Sequence, residues 1–106
     1  MLANDRAFFE LAQGLASEII KADISQDDER LTYAFRRSLS RLPSEVELSR
    51  LRQFFESQRD YFRSNRADAE KVAPPGRPVD FPLEQAAAWT TVSRVLFNLD
   101  EFITRE

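Results

Sequence analysis

The chain of 106 residues, 42% hydrophobic and 11% aromatic with nine Phe, has the length and composition of one globular domain, its core built more from rings than from β-branched side chains. It contains no Cys and no His, which excludes disulfides, thiolate nucleophiles, cysteine or imidazole metal sites, covalently attached haem and Ser-His or Cys-His catalysis within this segment. With a formal charge of only −3, solubility is served but no partner is indicated, and any catalysis would rest on carboxylates, Arg, Lys, Tyr or Ser.

Apolar residues at Phe8, Leu11, Ala12, Leu15, Ala16, Ile19 and Ile20 predict an amphipathic first helix from Asn4 to about Ala22, with Asn4 as N-cap and Asp5 favourable in the first turn. Gly14 lies inside it and is expected to permit a close helix crossing. After the polar break ADISQDDER, in which Ser25 and Asp28 have capping-box spacing, a second helix runs from about Asp27 to Ser40 with Leu31, Ala34, Phe35 and Leu39 inward. Pro43 disfavours helix at Leu42, and Ser44 with Glu47 gives a cleaner S-x-x-E start for a third helix, carrying Leu48, Leu51, Phe54, Phe55 and Phe62 to Asn65 or beyond. The Pro-rich stretch KVAPPGRPVDFP predicts one real loop, roughly Ala73 to Pro82. A last helix begins near Leu83; Val92, Val95, Leu96, Leu99, Phe102 and Ile103 keep one face through Asn98, a break and re-cap at Asn98 being the alternative. With no strand-period alternation and no repeat, the expectation is a single all-α domain over residues 1–106, a bundle of four main helices with one Pro-rich loop before the C-terminal helix.

Charge is unevenly placed. Between Arg30 and Arg66 nine Arg stand against four acids, a local balance of +5, and 13 of the 15 basic residues are Arg. This pattern reads first as a basic helix pair neutralised by acidic neighbours, and second as a nucleic-acid surface over residues 27–66. The third helix opens with PSEVELSR, whose two Glu would face phosphates badly, so no nucleic acid is expected. Asp27 and Asp28 open a helix, where negative charge is favourable, but Asp100 and Glu101 lie near a helix C-terminus, where it is not. The expected compensation is pairing of Asp100 or Glu101 with Arg37 or Arg41, a structural brace with no catalytic role. Trp89, beside Ala86, Ala87 and Ala88, reads as a large core residue more readily than as a binding platform. Phe8 and Phe9 give the first helix more apolar surface than one face needs, making them candidates for an interaction surface or for homo-oligomerisation. No stretch approaches the roughly 20 apolar residues of a membrane span, and the first residues lack a signal-peptide pattern.

Three stretches, LANDRAFFELAQGLA, ERLTYAFRRSLSRLPSEVELSRLRQFF and AAAWTTVSRVLFNLDEFITRE, carry a resemblance that covers nearly the whole chain. Leu2, Asn4, Asp5 and Phe8, then Phe35, Leu39, Arg41, Pro43 and Glu47, then Trp89, Leu96, Asn98, Leu99, Asp100, Glu101 and Phe102 are similar to the words of the cytochrome-c-associated domain of unknown function 1553 family, known chiefly from planctomycetes. Arg6-Ala7 stands where that family usually has a single residue before Phe. The resemblance implies an all-α C-terminal module of a larger periplasmic or secreted protein, with any c-type haem in another domain of the parent and no cofactor in this segment. Its partners would be the other domains of the parent chain. It implies no activity of the module itself; the reading from another class is a fragment completing a hydrolase or electron-transfer site in the parent.

Overall fold

Helices α1 (Arg6–Lys21), α2 (Asp27–Leu39), α3 (Glu45–Ser64), α4 (Arg66–Val72) and α5 (Leu83–Thr104) make up this all-α chain. The computed structural model describes the backbone of residues 6–104 and the side chains of residues 6–99, and no strand occurs among the described residues. The fold is organised around α5, which packs against all four other helices. Early in the helix it is enclosed on every side, for Ala86, Ala87, Ala88, Trp89 and Thr90 have no exposed surface; beyond them Val92, Ser93 and Leu96 stay buried while Thr91, Arg94 and Val95 on the opposite face are half-buried. A helix can be buried all round only if its neighbours approach closely, and the three alanines allow that approach while Trp89 fills the space left. The Trp89 ring lies against Phe55 of α3 with centroids 4.3 Å apart. The buried hydroxyls need no partner from another helix, since Ser93 donates to the Trp89 carbonyl at 2.8 Å and Thr90 to the Ala86 carbonyl at 3.5 Å.

The expected loop is found at residues 73–82, between α4 and α5. Arg77 Nη1 donates to the Phe81 carbonyl at 2.8 Å and to the Pro78 carbonyl at 3.3 Å, while Gln13 of α1 donates to the Val72 and Ala73 carbonyls at 3.3 and 3.2 Å. The backbone of α5 stays helical past Asn98 to Thr104, so there is no break and re-cap there.

Four local expectations are revised. The third helix does not run past Asn65: that residue leaves helical geometry at φ −131°, its side-chain amide donates back to the Tyr61 carbonyl, and the chain restarts as the short α4. Asp68 of α4 accepts a hydrogen bond from Tyr61 of α3, which ties the two helices across the break and raises the Tyr61 phenol above its ordinary pKa. Ser25 and Asp28 form no capping box, because Gln26 holds the N-cap position and the Asp28 carboxylate is drawn to the stronger, two-pronged partner Arg52 of α3, at 2.8 and 2.9 Å. Leu11, expected on the inner face of α1, is 61% exposed, since it lies at the edge of the arc that α2 and α5 cover. Gly14 makes no close crossing among the described residues, where a Cβ at that position would meet nothing within 4 Å.

Two stability measurements test this packing, both by denaturant unfolding followed through the fluorescence of Trp89, the chain's one tryptophan. Phe55→Ala opens a cavity beside the indole and is expected to cost about 3–5 kcal/mol. Ser40, the α2 C-cap, sits in left-handed geometry at φ 60°, so Ser40→Gly is expected to stabilise by roughly 1 kcal/mol.

Candidate functional site

The turn between α2 and α3 is tied into a single knot. Ser44 Oγ accepts from the Glu47 N–H at 3.1 Å and Glu47 Oε1 accepts from the Ser44 N–H at 2.9 Å, the capping box that the S-x-x-E spacing announces. The same carboxylate takes both prongs of Arg41, Nη1 to Oε1 and Nη2 to Oε2, each at 2.9 Å. Arg41 also lies over the Phe35 ring, 4.8 Å from its centroid, and donates to the Leu42 carbonyl at 3.3 Å. The Arg41 guanidinium, with the Ser44 N–H adding to it, holds the Glu47 carboxyl down to about 2. Glu47 is therefore ionised across the whole neutral range and cannot serve as an acid there.

This knot stands at one end of a groove of about 350 Å³ whose walls are Phe35, Leu51, Phe54, Val95 and Leu99, with Glu47 and Arg50 at its rim. Leu99 is 40% exposed, and near the knot Leu42 and Val46 stand well out in solvent. Arg50 makes no ion pair among the described residues. The groove thus offers apolar walls, one free cation and one neutralised carboxylate. Such an arrangement can dock apolar side chains and orient an acidic group, and it presents neither a nucleophile nor a base poised to titrate near neutrality.

The residues singled out from the sequence lie as follows. Arg41 is in the knot, and Arg37 donates from Nε and Nη2 to Glu18 Oε1 of α1 at 3.1 and 2.9 Å. The side chains of Asp100 and Glu101, their expected partners, lie outside the described residues, as do the expected cap residues Asn4 and Asp5. Phe8 is buried, in an edge-to-face contact with Phe97 of α5, so its ring belongs to no free surface. Phe9 is half-buried with the Arg94 guanidinium 6.0 Å from its ring centre. Trp89 is core and not a platform.

Six of the nine arginines between positions 30 and 66 are paired with carboxylates: Arg37 with Glu18, Arg41 with Glu47, Arg52 with Asp28, Arg59 and Arg63 with Asp60, and Arg66 with Glu84. Arg30 lies over the Phe81 ring. No group of three or more carboxylates able to hold a metal ion, and no helix long and apolar enough to cross a membrane, occurs among the described residues. Leu42 and Val46 were not among the sequence-derived candidates. Their signal was available, because Val46 sits between Glu45 and Glu47 off the Leu48, Leu51 and Phe55 face, and Leu42 is an apolar residue in a turn.

Comparison with family models, with curated proteins and with solved structures finds no match to this chain.

The depressed carboxyl makes the knot a source of acid sensitivity. A group whose folded pKa lies below its unfolded value adds stability that is full above the unfolded value, near 4.5, and fades as pH falls toward about 2. Glu47→Gln is expected to lower the melting temperature at neutral pH, and the gap from wild type should close on acidification through that window. Thermal melts at stepped pH check this; a gap independent of pH would mean the carboxylate contributes nothing through its charge.

Proposed function

We propose that the chain is a structural and protein-interaction module without chemistry of its own, part of a larger extracytoplasmic, cytochrome-c-associated bacterial protein. The observation that carries the interaction reading is the apolar groove between α3 and α5, with Leu99 exposed in its wall and a bidentate ion pair fixing its end. Apolar groups left in water next to a concave surface are what a docking site offers. The Asp28 and Glu47 carboxylates are each bound by two prongs of an arginine, which supports a scaffold over an acid–base site. Engagement of most of the α2–α3 arginines by neighbouring acids likewise supports a protein partner over a phosphate backbone. The cytochrome context and the cellular location rest on the resemblance alone. The occupant of the groove, on this reading, is another domain of the parent chain.

The test is photo-cross-linking in the full gene product, with a photoreactive residue at position 99, in the groove wall, and a control at Gln53, exposed on α3. Adducts joining position 99, and not position 53, to another segment of the same product are expected. Equal or absent labelling at the two positions would overturn the docking reading, and a gene product lacking both an export signal and a Cys-x-x-Cys-His would overturn the cellular one.

A further inference from the structure

Charge is not spread evenly around the groove between α3 and α5. Along α3 it meets Glu47, then Arg50 and Leu51, then Phe54, in successive turns, so both charged groups at the rim stand on that side. Along α5 it meets only Val95 and Leu99, one turn apart, the first half-buried and the second exposed. One long wall is therefore purely apolar and the other carries charge.

The two charges on α3 are in different states. The Glu47 carboxylate is matched by both prongs of Arg41 and by the Ser44 N–H. Arg50, one turn further along, is exposed and makes no ion pair among the described residues. Two guanidiniums thus stand against one carboxylate at this end of the groove. A segment entering with a Lys or Arg would add a third cation there, whereas a carboxylate facing Arg50 completes the balance. Charges at the rim of an interface act chiefly on which partner is accepted and in what register, by repelling the wrong one as well as attracting the right one. We propose, resting on the reading of this groove as a docking site, that its occupant is an amphipathic segment of the parent chain. It lays apolar side chains along Val95 and Leu99 and sets an Asp or Glu against Arg50. The asymmetry of the walls fixes direction as well as composition, the acidic edge lying toward α3 and the apolar edge toward α5.

The photo-cross-link at position 99 in the full gene product tests this once the adduct is mapped. Arg50→Glu is expected to cut the adduct yield about fivefold or more, because it replaces an attraction with a like-charge contact, and Arg50→Lys to keep it. Changing the facing acid of the mapped segment to Lys should restore the yield in the Arg50→Glu background. The loss should be greatest at low salt. Arg50 is exposed and unpaired within the domain, so all of these variants are expected to keep the wild-type unfolding transition of Trp89. A yield that Arg50→Glu leaves unchanged, or one that no single acid-to-Lys change restores, overturns the proposal while the docking reading stands. Absence of any adduct at position 99 in the wild-type product overturns both.

Discussion

Enclosure of α5 at residues 86–90 is the constraint on which the rest of the fold depends. Ala86, Ala87 and Ala88 are fully buried, which draws the surrounding helices close, and the volume between them is filled by one indole stacked on Phe55. The arrangement has a cost. The indole N–H finds no acceptor among the described residues, and a buried donor left unpaired is worth about 1–3 kcal/mol. Ring contact and burial of so large a side chain offset it, since removing a buried Trp or Phe typically costs about 3–5 kcal/mol. Polar residues are accepted beside Trp89 only because Thr90 and Ser93 close their hydroxyls onto their own helix.

Once α5 is enclosed, the outer helices still need their positions along it, and the arginines bear on that. Arg52 with Asp28 joins α3 to α2, Arg37 with Glu18 joins α2 to α1, and Arg66 with Glu84 joins α4 to α5. Exposed pairs of this kind are individually worth at most about 1 kcal/mol, so they contribute more to register than to overall stability. Arg52 and Arg37 each donate two hydrogen bonds to their carboxylate, and a two-pronged guanidinium has a narrow range of acceptable geometry, which suits that part. The same need explains why a segment with a local balance of +5 is tolerable: its surplus is met by acids on α1 and α5 as well as on its own helices.

The elements whose signal is local were legible in the sequence. The S-x-x-E start of α3, the Pro-rich loop at residues 73–82, the start of α5 at Leu83 and the core position of Trp89 all follow from side chains a few residues apart. The misreadings share a different character. Asp28 turned from its local cap to Arg52, 24 residues away. Asn65 broke a helix that hydrophobic period alone would have carried onward. Leu11 matched the inner period of α1 and yet lies outside it, because periodicity gives the direction of a face and not its width. The groove between α3 and α5 was hidden for a related reason: its walls, Phe35, Phe54, Val95 and Leu99, belong to three helices, and each alone reads as ordinary core.

The exposed apolar side chains beside the α2–α3 turn are firmly held by the chain. At the groove, Arg41 is fixed at once by the Glu47 carboxylate, the Phe35 ring and the Leu42 carbonyl, so the backbone bearing Leu42 and Val46 is set before anything binds. A partner arriving there has little loop entropy to remove, and pre-organisation of that kind is what turns a modest apolar area into useful affinity.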